Sequence, residues 1–329
     1  MNNFKKIGMT ALAASLVSTS VFAGELTATG SAGMTVEGYS GSALQSDTDY
    51  SMSDSVVLSG STELDNGMTV SMSFELDSDN PTTSSYDDKS VSVSSDTLGT
   101  LKLSGHGGSS ATSAVDATAA GNIYDNFDGV AGSAGNGLTS AGVNLLAAAG
   151  GANNLYYSLP AMVDGLAMNA SLNTAGDTGN NALGFNVIYS GVEGLSLTYA
   201  QADIETGVAS TSGDHTVMNA SYAYGPVTVA YTNSDFDTGA ANTRALAQEV
   251  TSYAISYTVS DAISLKYGTE TIESGSTSDV DAEYEGITAS YTAGGMTISL
   301  TSQDAENIDH GTNADEDYEY WALGLSFAF

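Results

Sequence analysis

Residues 320–329 alternate strictly. Trp321, Leu323, Leu325, Phe327 and Phe329 are large and apolar, and only Ala322, Gly324, Ser326 and Ala328 stand between them. A strand sends successive side chains to opposite faces. In a water-soluble sheet the face opposite the apolar one carries charge, whereas here it is small and uncharged. A core strand of a soluble sandwich also seldom ends on the aromatic itself. A closed barrel in lipid explains both faces, with large residues toward the acyl chains and small or polar ones toward a watery lumen. In hydrocarbon only helices and closed barrels satisfy every backbone polar group.

The other end reads as a secretory signal. Lys5 and Lys6 give a positive start, an apolar run follows from Ile7, and Val21-Phe22-Ala23 is a small-x-small cleavage site. The expected division is therefore 1–23, a cleaved signal peptide, and 24–329, one barrel domain. A permanent anchor needs about 20 predominantly apolar residues. Thr10, Ser15, Ser18, Thr19 and Ser20 dilute this one, and the cut site follows at once.

Composition agrees with long strands and tight turns. The chain has no cysteine, so no disulfide supports an exported fold, and only three prolines in 329 residues. Eighteen of its 27 aromatic residues are Tyr, a ring suited to the membrane interface, where its body is apolar and its hydroxyl wet. Mean hydropathy near zero fits a barrel, because half of each strand faces water.

Read in order, the chain predicts sixteen strands. Residues 26–36, 55–64 and 68–76 come first, with Asp65-Asn66-Gly67 as a hairpin turn between the second and third. Residues 89–95 and 100–105 follow. After a long interval come 154–160, 166–173, 183–189 and 195–199. The pattern continues through 216–224, 227–231, 253–259, 263–267, 287–291 and 296–300, to the final strand. Seven connections are short. The intervening loops around 77–88, 106–152, 174–181, 203–213, 234–247, 271–280 and 303–316 are long and polar. That asymmetry, with strands near the ~9–11 residues needed to cross at a tilt, is the pattern of a transmembrane barrel. Residues 106–152 are rich in Gly, Ala and Ser and lack sustained alternation, and so long a stretch needs a structural reason.

The terminal alternation resembles the C-terminal assembly signal of Gram-negative outer-membrane barrels; Phe329, Phe327, Leu325 and Leu323 match it position by position, and Trp321 extends it. The whole of 24–329 resembles the sixteen-stranded trimeric general porins. The resemblance implies an all-β transmembrane antiparallel barrel in the outer membrane and a homotrimer. It also implies insertion by the outer-membrane assembly machinery, contact with lipid and lipopolysaccharide, and no cofactor. A third loop folded into the lumen is part of the family pattern, and residues 106–152 fall where that loop belongs.

Charge is where the sequence departs from that family. General porins set an inward cluster of Arg and Lys against acids of the third loop. Without the signal, this chain has four basic residues (Lys89, Lys102, Arg244 and Lys266) against 39 acidic ones, a net charge of −35. Nucleic-acid binding is excluded, since phosphate neutralisation needs Lys and Arg. By parity Lys102 and Lys266 point inward, while Arg244 sits in a loop. Lys102, Lys266, Asp116, Asp125, Asp128 and Glu75 are the candidate constriction residues, with Glu37 and Glu63 also inward. A weak basic cluster opposite an acidic loop predicts a cation preference. The alternative for each residue is a charge solvated in a wide lumen.

Catalysis finds no support. His106, His215 and His310 fall on three loops, and no HExxH helix, nucleophile elbow or phosphate-cradling loop occurs. Acidic clusters such as Asp77-Ser78-Asp79 and Asp235-Phe236-Asp237 offer hard oxygen ligands for Ca²⁺ without EF-hand spacing; a solvated rim explains them equally. Three functions remain. The first is a diffusion channel for small hydrophilic solutes with cation preference. The second is a substrate-specific channel, for which Tyr124 and Phe127 would form a sugar slide. The third is a plugged surface barrel whose acidic loops bind partners.

Overall fold

Strands with an apolar outer face and a polar inner one satisfy their backbone groups in lipid only as a closed sheet, and these strands form one. In the computed structural model, residues 26–41, 48–77, 86–127, 153–174, 181–205, 212–238, 248–274, 280–308, 310 and 317–329 are described. The first strands are β1 (Leu26–Ser40), β2 (Thr48–Glu63), β3 (Thr69–Asp77), β4 (Tyr86–Ser95) and β5 (Gly99–His106). Next come β6 (Asn154–Ser158), β7 (Leu166–Thr174), β8 (Asn181–Tyr189), β9 (Leu195–Glu205) and β10 (Gly213–Tyr224). The set ends with β11 (Val227–Thr238), β12 (Gln248–Ser260), β13 (Ile263–Ser274), β14 (Ala282–Ala293), β15 (Met296–Glu306) and β16 (Tyr318–Ala328). Each strand pairs antiparallel with its sequence neighbours, and β16 pairs with β1, so the sixteen form a closed barrel. Closure removes both sheet edges.

The seam lies at the terminal alternation. Val36 stands opposite Leu323 and Met34 opposite Leu325. Beyond the strand, Phe329 and Gly30 exchange backbone hydrogen bonds of 2.7 and 2.9 Å. Trp321, Leu323, Phe327 and Phe329 are exposed on the outer face, Phe329 at 75%. The same side carries Met34, Met52, Met72, Leu103, Phe185, Ile255, Ile287 and Leu300, all exposed. This outer surface is a lipid-facing band. Among the described residues no helix is long and apolar enough to cross a membrane; the strands cross instead.

Short turns close the hairpins at one end. At Leu64–Met68 the chain reverses with Gly67 at φ 79°, where a side chain would be strained, and Asn66 Oδ1 accepts the Met68 N–H at 3.1 Å. At the other end the strands run further than their alternation suggests. β2 begins at Thr48 rather than 55, β9 runs to Glu205, and β13 to Ser274. The expected loops 203–213, 234–247, 271–280 and 303–316 are correspondingly shorter. Where a strand leaves the lipid its outer face meets water, so the outward apolar period stops while the hydrogen-bond ladder continues. The same effect moves two histidines. His106 ends β5 and His215 lies within β10, leaving only His310 on a loop.

Candidate functional site: the inner wall and the loop laid against it

Strand parity sorts the wall. Leu101 and Leu103 face out, so Lys102 faces in; Leu265 and Tyr267 face out, so Lys266 does the same. Glu75 on β3 and Glu37 on β1 are inward by the same rule, and Glu37 Oε2 accepts the Tyr320 hydroxyl at 2.7 Å.

Residues 107–127 run along this wall, and consecutive loop residues meet inward side chains of successive strands. The Ala111 N–H donates to Ser171 Oγ of β7 (2.7 Å), and Asn186 Nδ2 of β8 donates to the Ala111 carbonyl (2.7 Å). Asn219 Nδ2 of β10 donates to the Val115 carbonyl at 2.6 Å. The Ala120 N–H donates to Ser252 Oγ of β12 at 2.9 Å. Asn126 Nδ2 donates to Gln303 Oε1 of β15 (2.8 Å), and the Tyr39 hydroxyl of β1 donates to the Asn126 carbonyl (2.6 Å). A loop rich in Gly, Ala and Ser suits this path, because its backbone must approach another backbone closely. At Gly268 of β13 a Cβ would lie 2.5 Å from Ala120 Cβ, so the wall needs glycine there.

Glu270 of β13 is the central fastening and is 1% exposed. Its carboxylate accepts the Thr118 hydroxyl and, at 3.2 Å, the Tyr124 N–H. Thr118 Oγ1 in turn accepts the N–H groups of Gly121 (3.0 Å) and Asn122 (2.7 Å), and Asn122 Oδ1 accepts the Thr118 N–H (2.9 Å). This compact turn feeds a 3₁₀ turn, Ile123–Phe127. Ile123, Tyr124 and Phe127 are at most 4% exposed. Phe127 packs on Tyr39, Tyr284 and Tyr320 with ring centroids 5.8–6.4 Å apart, and Tyr124 on Tyr284 at 6.4 Å. These two rings are core, so the reading of Tyr124 and Phe127 as a sugar slide is corrected: a ring buried against the wall has no free face for a solute.

Four of the expected constriction residues lie on the loop or beside it. Lys102 lines a cavity with Tyr156, its partner across β6, and with Ser109 and Ala114 of the loop. The Lys266 ammonium lies beside Gly121; a Cβ built there would stand 3.1 Å from Nζ. Asp125 Oδ2 accepts Asn122 Nδ2 at 3.2 Å. Asp116 is pushed up to about 6, mainly by burial, with the neighbouring Asp125 charge adding and a backbone hydrogen bond opposing. Burial also raises Asp125. Glu75 faces inward on β3, and Asp128 lies outside the described residues, as does Arg244. No group of three or more His, Asp or Glu among the described residues is placed to hold a metal ion.

Glu270 and the wall tyrosines Tyr39, Tyr284 and Tyr320 escaped the sequence reading. One signal was present. Ile204, Phe236, Val250 and Ile272 fall on the inward parity of β9, β11, β12 and β13, and all are buried. Apolar residues facing a watery lumen need a cover, and all four share one buried cluster with Ile123, Tyr124 and Phe127 of the loop. From β1 to β4 the inner wall is different: Thr27, Ser59, Ser61, Ser71, Ser73, Ser90 and Ser92 leave hydroxyls lining an open recess.

A closed sheet with an oily exterior, a hydroxyl- and carboxylate-lined interior and a loop narrowing it from one side defines a water-filled transmembrane channel. The chain is a member of the Gram-negative porin family, whose model matches residues 8–329. It is accordingly an outer-membrane channel protein and not an enzyme. No curated protein matches it. Solved structures show the same fold at low identity. The Salmonella typhi OmpF complex with daunomycin is 13% identical, with TM-score 0.67, covering 93% of this chain and 98% of that one. An anion-selective porin from Comamonas acidovorans is 15% identical, with TM-score 0.65, covering 93% and 99%. A triple mutant of the Rhodopseudomonas blastica porin is 15% identical, with TM-score 0.64, covering 93% and 100%.

Proposed function

We propose that this porin is a passive diffusion channel for small hydrophilic solutes with a preference for cations, constricted where Lys102, Lys266, Asp116, Asp125 and Glu75 face the lumen, with Asp128 a further candidate from the sequence alone. The observation that carries the preference is the imbalance of inward charge: Glu37, Glu75, Asp116 and Asp125 against Lys102 and Lys266. Carboxylates on a low-dielectric wall concentrate cations and repel anions. The Comamonas protein is named for the opposite selectivity, so selectivity belongs to lumen side chains rather than to the barrel. The test is the reversal potential across a planar bilayer in a KCl gradient. A cation-selective sign is expected, and an anion-selective one would remove the proposal. A silent bilayer would favour the plugged surface barrel.

The same proposal includes export by a signal over 1–23, recognition of Trp321, Leu323, Leu325, Phe327 and Phe329 by the assembly machinery, and a homotrimer in contact with lipopolysaccharide. Ca²⁺ bound by acidic rim loops is a subsidiary part, checked by whether a chelator lowers the melting temperature.

A further inference from the structure

The two inward lysines differ. Lys266 sits in the field of Glu270. Lys102 has no carboxylate partner among the described residues, in a chain holding 39 acids and six bases. It lines a cavity of about 300 Å³ together with Thr100, Ser104, Ser109, Ala114, Tyr156 and Ser158. Apart from the lysine and Ala114, every lining side chain carries a hydroxyl, and none carries an acid. Beside the cavity, Asn154 stands opposite Ser104 across the ladder, and is buried with both amide atoms unpartnered. An unpaired ammonium among hydroxyl donors is a place for an oxyanion.

We propose that this cavity is a subsite for the carboxylate of a small zwitterionic solute of the amino-acid class, an inference that rests on the protein being an open pore. One ammonium matches one carboxylate, whereas a phosphate dianion would keep an uncompensated charge. Net charge decides between carboxylate solutes. A simple anion meets the repulsive field of the acidic lumen, and a zwitterion, being neutral, does not. For its ammonium end the same loop segment carries one carboxylate, Asp116, two residues after Ala114. Weak binding of this kind raises entry without blocking exit.

The experiment is swelling of liposomes containing the full-length protein, with alanine and with glycerol, a neutral solute of similar size. Wild type, Lys102→Met and Lys102→Arg are compared. The alanine-to-glycerol rate ratio is expected to fall about threefold in Lys102→Met, the factor a partly exposed ion pair supports, and to persist in Lys102→Arg. A ratio unchanged in Lys102→Met overturns the subsite. So does an equal change in both solutes, which would mark a steric effect. A wild type that swells with neither solute overturns the pore reading and the subsite with it.

Discussion

Replacing Glu270 by Ala tests whether one wall carboxylate holds the loop. The side chain is 1% exposed and accepts the Thr118 hydroxyl and the Tyr124 N–H. A hydrogen bond to a charged acceptor contributes roughly 1.5–3 kcal/mol net, and a buried donor left unpaired loses a comparable amount. Losing both bonds therefore weakens docking by about 4 kcal/mol, which multiplies the undocked-to-docked ratio about a thousandfold. Glu270→Gln keeps one acceptor and the shape, so it should lose about half as much. The barrel is untouched, because its ladders run strand to strand without the loop. Single-channel recording in planar bilayers reads the effect. Wild type should give a quiet open level, Glu270→Gln a noisier one, and Glu270→Ala frequent excursions to other conductances, with the β circular-dichroism spectrum unchanged. A quiet Glu270→Ala channel at the wild-type conductance would refute the fastening.

Two further predictions concern charge and lipid. Asp116 sits at about 6 because burial disfavours its charged form, so acidification through that value removes a lumenal negative charge. Cation selectivity should drop by a step near pH 6 in reversal-potential titrations, and Asp116→Asn should lack the step. The sign for stability is the reverse. A carboxyl whose native value lies above its unfolded one carries a penalty at neutral pH, and that penalty disappears as pH falls through the native value. Asp116→Asn should then hold the loop at least as firmly as wild type at pH 7, seen as equal or lower open-channel noise. On the outer face, Leu323 pairs with Val36 and Leu300; Leu323→Arg should destabilise the barrel by ~2–4 kcal/mol if it lies at the bilayer midplane. Urea unfolding in lipid vesicles measures this, and no loss would mean that Leu323 does not face lipid.

The alternation of Met72, Phe74 and Leu76 with Ser71, Ser73 and Glu75 made β3 readable, as similar rows did for most strands, because lipid and water on opposite faces impose a period of two. Strand ends were less readable. At Thr269–Ser274 of β13 the outer face has left the lipid and carries Thr269, Thr271 and Glu273, so its apolar period stops and the stretch looks like loop. Inward lysines followed from parity alone. The use of Tyr124 and Phe127 did not, because an aromatic in a Gly-rich loop reads as exposed until the wall that buries it is known.

From sequence alone came the barrel, its outward face and the scarcity of lumenal positive charge, since each depends on local period or on counting residues. Which wall the loop meets was a tertiary matter. Glu270 and Thr118 lie 152 positions apart, and nothing in either neighbourhood marks the other. Their contact exists because sixteen strands close at a fixed circumference and bring β13 beneath the loop, a global constraint that no local pattern encodes.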